Sequence, residues 1–147
     1  MEFIDKMKAQ ARQNIKTIIL PEVEDIRILQ ATDKILKEGF AKVMLLGNRE
    51  ELLKRAEDNN IDIKNAQFYD VNESENARYY IEELYKLRKD KGMTLEEAEE
   101  LIKTNSRYLA TMMVKLGDAD GYVSGASHST SDTFKPVLRI IKGAGDI

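Results

Sequence analysis

The sequence contains no cysteine, only two prolines and a single histidine among its 147 residues. Without cysteine the chain has no disulfide, no thiolate nucleophile and no cysteine-ligated metal. It has no apolar run of the ~20 residues needed to span a bilayer. Its amino-terminal segment, MEFIDKMKAQARQN, carries scattered charges where a secretory signal has an apolar core. These absences predict a cytoplasmic protein that does not enter a membrane.

Neither sign of charge dominates, since the formal net charge is -3 at pH 7. The sequence therefore gives no electrostatic reason to expect a nucleic acid or an anionic membrane as a partner. The GxGxxG fingerprint, the P-loop, HExxH and GxSxG are also missing. The sequence therefore lacks the motifs that usually identify dinucleotide-binding proteins, P-loop nucleotide hydrolases, zinc proteases and esterases.

Short apolar runs alternate with helical periodicities along the chain. The runs at 17–20 and 43–46 are typical of strands buried on both faces, and weaker strand candidates follow at 66–69 and 121–123. Between them apolar residues recur at helical spacing, and Thr94 begins a capping-box pattern, TLEE. The alternation predicts one α/β domain, a three-layer, doubly wound (Rossmann-like), mostly parallel sheet.

The sequence predicts where two of the helices begin. The apolar spacing predicts a helix over 72–87, capped by Asn72 or Ser74. The last helix contains Pro136, which we expect near its start, where a missing N–H costs least.

Segment 119–142 is expected to be a short strand, a loop of glycine and hydroxyl-bearing residues, and an amphipathic helix. In open α/β sheets, ligands bind at the carboxyl ends of the strands. The polar segments that follow strands here are PEVEDIR, GNRE and SGASHSTSD. The last one predicts unpaired backbone N–H groups beside a helix start, which suit a phosphate or another oxyanion. The candidate contacts are Ser124, Gly125, Ser127, Ser129, Thr130 and Ser131.

Each candidate also has a purely structural interpretation. Thr130 or its neighbours can cap the helix while the serines are solvated. His128 is an acid or base near neutral pH, a partner for a phosphoryl oxygen, or a residue that fills the loop. Lys135 points from the first helical turn toward a ligand, or into solvent. Arg88, in the basic run YKLRKDKG, grips phosphate through two parallel hydrogen bonds or offsets the dipole of a helix end.

Five stretches, taken together in order and spacing, resemble the phosphate acetyltransferases and their relatives the phosphate butyryltransferases. They are LPEVEDIR, KVMLLGN, LYKLRKDKGMTLEEA, MMVKLGDADGYVSGA and SGASHSTSDTFKPVLRIIK. The SGASHSTSDT stretch is more similar to the acetyl enzymes. The resemblance covers residues 1–142 as an amino-terminal domain and leaves 143–147 as a short tail unlike the family.

The resemblance implies acetyl transfer between acetyl phosphate and coenzyme A, with phosphate as the other product and coenzyme A as a substrate. It implies no metal, no tightly bound cofactor, a site between two domains, and a dimer. It assigns Arg88 to substrate or coenzyme A binding, and it places Lys135 where the family usually has an arginine. The substrate-binding or coenzyme-A-binding set that it suggests is Arg88, Ser124, Gly125, His128, Ser129, Thr130 and Lys135.

The family also carries a serine–arginine pair and an aspartate base in a carboxy-terminal part, and neither is found in this sequence. We therefore expect a sheet that is incomplete relative to the two-domain family fold, and a chain that supplies part of the site and is inactive alone. The alternative is a non-catalytic phosphate- or coenzyme-A-binding or assembly module that dimerises through an unfinished sheet edge. A dehydrogenase function has the least support, because the fingerprint glycines are missing.

Overall fold

The computed structural model describes residues 2–141, and for Thr130, Thr133 and Phe134 it describes the backbone alone. The expected tail at 143–147 lies outside the described residues. The helices are α1 (Phe3–Gln13), α2 (Ile26–Glu38), α3 (Arg49–Asp58), α4 (Ala77–Arg88), α5 (Leu95–Thr104), α6 (Ser106–Lys115) and α7 (Thr130–Ile140), with a 3-10 turn at Lys89–Lys91 after α4. The strands are β1 (Thr17–Leu20), β2 (Lys42–Leu46), β3 (Gln67–Tyr69) and β4 (Gly121–Tyr122).

The four strands form one parallel sheet in the order β3-β2-β1-β4. The strand β1 is central: Ile18 lies opposite Val43 on one side and Gly121 on the other. Consecutive parallel strands are joined by helical crossovers, as the alternating pattern predicted. All four carboxyl ends lie at the same edge of the sheet, so the polar segments that follow β1 and β4 are neighbours.

The core is divided between the two faces of the sheet. Within β1, Ile19 belongs to one cluster, with α4, α5, α6 and Ile140 of α7, while Leu20 belongs to the other, with α2 and α3. In β2, Leu46 and Leu45 divide in the same way. Successive strand side chains point to opposite faces, so a strand covered on both faces has a continuous apolar run. The doubly wound α/β prediction is confirmed.

Helix ends follow the sequence where a specific cap is present. Thr94 caps α5, and its side chain accepts from the Glu97 N–H while the Glu97 carboxylate accepts from the Thr94 N–H. The helix α4 begins at Ala77, five residues later than expected. Asp70 is the reason, because its carbonyl and carboxylate oxygens accept N–H groups from Asn72, Glu73 and Ser74 and hold that segment in turns.

Pro136 lies in the interior of α7, not near its start. Ser129 caps α7 by accepting the Asp132 N–H, which fixes the beginning of the helix well before the proline. Because Pro136 has no N–H, the carbonyl of Asp132 lacks its usual intrahelical donor. The Nε of Arg107 donates to that carbonyl at 3.3 Å. A side chain from α6 thus replaces the missing helical hydrogen bond.

The amino-terminal helix α1 contacts the rest of the domain mainly through polar groups. The Lys8 ammonium lies 2.9 Å from the Glu38 carboxylate, and the Arg12 Nε donates to the Glu38 carbonyl. Phe3 and Ile4 on α1 are exposed. None of the helices within residues 2–141 is long and apolar enough to cross a membrane.

Candidate functional site

Two polar segments meet at the carboxyl edge of the sheet. Pro21 and Glu22 follow β1 directly, and the hydroxyl loop (residues 124–130) follows β4. The Val123 N–H donates to the Ile19 carbonyl at 3.0 Å, which continues the pairing of the two strands to their ends. This pairing places the hydroxyl loop over the residues that leave β1.

The Glu22 carboxylate is the centre of that junction. Its Oε1 accepts from the N–H of Gly125 at 2.7 Å and from that of Ala126 at 3.0 Å. Its Oε2 accepts from the N–H and the hydroxyl of Ser127, both at 3.0 Å, and lies 2.5 Å from Nδ1 of His128. The Glu22 side chain thus contacts four consecutive residues of the loop.

Glu22 is 0% exposed, and an isolated buried carboxylate costs several kcal/mol in lost hydration. Burial raises the pKa of Glu22, but the hydrogen bonds from His128 and from three successive backbone N–H groups outweigh it and lower the pKa from 4.5 to about 2. Hydrogen bonds to the charged form stabilise that form. The carboxylate is therefore ionised at neutral pH.

This arrangement corrects the expectation of unpaired N–H groups in the hydroxyl loop. The N–H groups of Gly125, Ala126 and Ser127 all point to Glu22. The oxyanion that these N–H groups bind is a side chain of the same domain, whereas the sequence predicted a bound ligand. Gly125 has φ +113, a conformation that L side chains rarely adopt, which explains a glycine at this point of the turn.

The imidazole of His128 connects this junction to an adjacent cavity. Its Nδ1 contacts Glu22, its Nε2 is 3.9 Å from a carboxylate oxygen of Glu24, and its side chain is 27% exposed. The cavity is about 550 Å³ and is lined by His128, Glu24, Arg107, Arg139 and residues of α5 and the α5–α6 connection. It lies beside the hydroxyl loop at the carboxyl edge of the sheet, where the fold predicted a ligand site.

Two arginines of the cavity were not among the sequence candidates. The Nη1 of Arg139 donates to the Tyr108 hydroxyl at 3.0 Å, and Arg107 makes the bond to α7 described above. Because Arg139 lies one helical turn after Lys135, the periodicity of α7 could have indicated it. Arg107 follows Asn105, which caps α6, and no motif distinguishes it from other surface arginines.

The remaining sequence candidates are more scattered. Arg88 is the last residue of α4, and its carbonyl accepts from Met93, whose side chain lines the cavity. Lys135 is exposed on α7. Within residues 2–141, no described contact joins Arg88 or Lys135 to the hydroxyl loop. Ser129 caps α7, and the side chain of Thr130 is outside the described atoms.

Arg88 and Ser124 each hold a buried polar atom that has no partner in the described part of the chain. These atoms are Nε of Arg88 and Oγ of Ser124. A buried donor without a partner costs about 1–3 kcal/mol. Neither residue is among those that line the cavity.

Glu22, Glu24 and His128 also place one possible metal-ligand atom each within 4.8 Å of one another. The Glu22 carboxylate already accepts five hydrogen bonds, which fills its acceptor capacity. A cation here would have to displace the donors that neutralise the buried charge. The donor set is that of a hydrogen-bonded structural carboxylate.

The sequence matches a known family and its members over nearly its whole length. The sequence model of the family described as phosphate acetyl/butaryl transferase matches residues 2–147. A phosphate acetyltransferase from Acetivibrio thermocellus is 44% identical over 144 residues, which are 98% of this chain and 42% of that protein. One from Thermoanaerobacterium thermosaccharolyticum is 46% identical over 144 residues, or 98% of this chain and 43% of that protein.

Solved structures agree with the sequence matches. The EutD phosphotransacetylase from Staphylococcus aureus superposes with a TM-score of 0.82 at 35% identity, over 94% of this chain and 41% of that one. A phosphotransacetylase from Streptococcus pyogenes gives 0.84 at 32% identity, over 97% and 44%. These matches confirm the resemblance and do not favour a non-catalytic module. The chain spans about two fifths of the length of these relatives.

Proposed function

Because the chain belongs to the phosphate acetyl/butaryl transferase family, we propose that it takes part in acetyl transfer between acetyl phosphate and coenzyme A. It supplies one wall of the reaction site, and other groups come from the part of the family fold that it does not match. The observation that carries this proposal is the cavity at the carboxyl edge of the sheet, where Arg107, Arg139 and His128 converge beside the hydroxyl loop.

In the proposed reaction the thiol of coenzyme A gives its proton to the aspartate base that the family carries in its carboxy-terminal part, and the sulfur attacks the carbonyl carbon of acetyl phosphate. The C–S bond forms, the C–O bond to phosphate breaks, and phosphate leaves with the electron pair. Negative charge on the carbonyl and phosphate oxygens is stabilised by fixed cations and hydrogen-bond donors. Arg107 and Arg139 each use one described donor on the protein, and a guanidinium carries five N–H groups. Their remaining donors suit the phosphoryl oxygens.

We assign the sequence candidates to the same substrate surface. The family resemblance supports Arg88 and Ser124, each of which has a polar atom without a described partner, and the exposed ammonium of Lys135 suits a more distant phosphate of coenzyme A. We propose that Gly125 contributes through the conformation of its backbone, and that His128 contacts the substrate through Nε2. The proposed binding set remains Arg88, Ser124, Gly125, His128, Ser129, Thr130 and Lys135, with Arg107 and Arg139 added.

We further propose that the reaction uses no tightly bound cofactor and no metal, with coenzyme A as a substrate. The family resemblance supports this, as does a chemistry that needs only a thiolate, an acyl phosphate and fixed donors. We also propose that the protein pairs with a second copy of itself and that it is cytoplasmic. Acetyl phosphate, phosphate and coenzyme A are the proposed small-molecule partners.

A chimaera tests the transferase function. This chain replaces the matched 144-residue segment of the Acetivibrio thermocellus phosphate acetyltransferase, and formation of acetyl-coenzyme A is measured. We expect turnover, with the unaltered relative as the positive control. A chimaera that folds and assembles like the relative but forms no acetyl-coenzyme A would contradict the proposal.

Arg88→Ala in the same chimaera tests the role of that guanidinium. We expect KM for acetyl phosphate or coenzyme A to rise about tenfold, because a charge-assisted hydrogen bond contributes ~1.5–3 kcal/mol. Lys89→Ala, an exposed cation at the next position, is the control and should leave KM unchanged. Equal KM values in both variants would remove Arg88 from the site.

A further inference from the structure

Glu22 does not line the cavity, yet it contacts four consecutive residues of the loop beside it. The sequence separation between Glu22 and these partners is 103 to 106 residues. The shape of the hydroxyl loop therefore depends on a side chain that is distant in the sequence and adjacent in the fold.

Only an ionised carboxylate fits the set of donors around Glu22. Three backbone N–H groups, one hydroxyl and one ring nitrogen converge on its two oxygens. Glutamine has a single acceptor oxygen, and its NH₂ group would face N–H donors. An apolar side chain would leave all of these donors unpaired. The loop conformation thus requires a charge at position 22.

The loop is also held from the side of α2. Nη2 of Arg27 donates to the Ala126 carbonyl at 2.8 Å and contacts the Asp25 carboxylate. Both polar groups of the Ala126 peptide are consequently fixed, the N–H by Glu22 and the carbonyl by Arg27. These two contacts connect the segment after β1 to one point of the hydroxyl loop.

The same carboxylate determines which nitrogen of His128 holds a proton. Because an ionised carboxylate only accepts hydrogen bonds, Nδ1 must carry the hydrogen in the 2.5 Å contact with Oε2 of Glu22. In the neutral ring, Nε2 then keeps its lone pair. The described partner near Nε2 is Glu24, at 3.9 Å, and the ring lines the cavity.

We propose that Glu22 is a positioning residue for the transfer reaction: its buried carboxylate fixes residues 125–128 and presents the Nε2 lone pair of His128 to the cavity. The kinetic consequence rests on the proposed function. The consequence for the loop and the imidazole concerns this chain alone. Two separate measurements therefore address the two parts.

The imidazole state is measured by ¹⁵N NMR on this chain. His128 is the only histidine, so two-bond ¹H–¹⁵N correlations across a pH series report a single ring. We expect the neutral ring to have its proton on Nδ1 in the wild-type chain, and a mixture of tautomers in Glu22→Gln. Glu57→Gln, an exposed glutamate on α3, is the matched control and should match the wild type. A neutral ring protonated on Nε2 in the wild type would overturn the proposal.

The kinetic part uses the chimaera described above. Glu22→Gln should lower kcat roughly tenfold to hundredfold, since small displacements of positioned groups have effects of that size, while KM for coenzyme A changes little. Glu22→Asp keeps the charge on a shorter side chain and should recover part of the loss. A variant that is partly unfolded would also show a lower kcat, because fewer of its molecules would be active. Active-site titration must therefore show the same number of sites per molecule in the variants and in the unaltered chimaera.

The outcomes separate the positioning role from the proposed function. An inactive wild-type chimaera counts against the transferase function, while the ring tautomer still decides whether Glu22 orients His128. An active chimaera with an unchanged kcat in Glu22→Gln overturns the positioning role and leaves the function intact. If Glu22→Gln does not fold, Glu22→Asp is used in its place. A Glu22→Asp variant that alters the His128 resonance but keeps the wild-type kcat would overturn the proposal, because the position of the ring would then not affect the reaction.

Discussion

Two junctions at the carboxyl edge of the sheet join neighbouring strands in different ways. At the β1–β4 junction the Glu22 carboxylate, 0% exposed, accepts five hydrogen bonds from the hydroxyl loop. At the β2–β3 junction the half-buried Asn48 donates to the Asp70 carboxylate at 3.2 Å and caps α3 by accepting the Glu51 N–H. One junction has a buried charge and the other a single side-chain hydrogen bond between its two segments, which water can replace.

The difference shows where this domain depends on one side chain. A buried charge is stable only while every donor around it is in place, so it holds a loop in one geometry. A partly exposed amide can exchange its partner for water at little cost. The β1–β4 junction borders the larger of the two cavities at this edge, which is lined by His128, Arg107 and Arg139. The more constrained junction is therefore beside the proposed site.

Glu22→Gln should have the largest effect on stability, because it gives the β1–β4 junction an amide like the one at the β2–β3 junction. We expect the free energy of unfolding to fall by roughly 3 kcal/mol at neutral pH, as the donors lose their charged acceptor. Chemical denaturation followed by circular dichroism measures it. The exposed control Glu57→Gln should change stability by less than ~0.5 kcal/mol, and equal effects of the two changes would remove the distinction between the junctions.

Acid should remove the advantage of the β1–β4 junction. The pKa of Glu22 is lowered from 4.5 to about 2 on folding, so its contribution is complete above about 4.5 and is lost as the pH falls toward 2. The stability gap between the wild type and Glu22→Gln should therefore narrow across that range. Urea unfolding at a series of pH values measures the gap. A gap that stays constant with pH would show that the Glu22 charge contributes nothing.

Arg107→Ala should weaken the far end of the hydroxyl loop, where α7 begins. The Asp132 carbonyl, which Pro136 deprives of its usual intrahelical donor, would lose the hydrogen bond from Arg107, which should cost about 1–2 kcal/mol. Pro136→Ala restores an intrahelical donor for that carbonyl, so Arg107→Ala should cost less in the Pro136→Ala background. A double-mutant cycle by thermal unfolding gives the coupling. Additive effects would mean that the contact does not replace the helical bond.

Asn48→Ala tests the β2–β3 junction and should cost about 1 kcal/mol, mostly through loss of the α3 cap. Asn48→Ser keeps a capping oxygen but is too short for the bond to Asp70, so it should recover most of that loss. Urea unfolding of both variants separates the cap from the strand junction. If Asn48→Ser is as unstable as Asn48→Ala, the loss of stability comes from the hydrogen bond to Asp70 and not from the cap.

Asp70→Asn should have the smallest effect, about 0.5 kcal/mol. Asp70 accepts from the Asn48 side chain and from the Asn72 N–H, and an asparagine keeps one acceptor oxygen in a half-exposed place. Thermal unfolding of Asp70→Asn beside Glu22→Gln compares the same carboxylate-to-amide change at the two junctions. A loss at Asp70 as large as at Glu22 would contradict the proposed difference.

Strands and the best-marked caps could be predicted from sequence for physical reasons. The runs at 18–20 and 43–46 are apolar at every position because both faces of the sheet are covered. Thr94 and Glu97 form their capping box locally, without help from distant residues. The start of α4 was placed too early, because the turn hydrogen bonds of Asp70 compete with helix formation.

Glu22 could not be identified from the sequence alone. It is one of two glutamates in PEVEDIR, and nothing local distinguishes the buried one from the exposed Glu24. The signal was in the topology: two polar segments, one after β1 and one after β4, become neighbours only when those strands pair. The sequence predicted loop N–H groups that are free for a ligand, and this was wrong for Gly125, Ala126 and Ser127, because the pairing of β1 with β4 brings Glu22 to them.

Amide hydrogen exchange at Gly125, Ala126 and Ser127 tests most directly whether Glu22 occupies the hydroxyl loop. In the wild-type chain without ligand, we predict slow exchange at these three N–H groups, unchanged by added phosphate, and faster exchange in Glu22→Gln. Exchange in the wild type as fast as in Glu22→Gln would contradict the account.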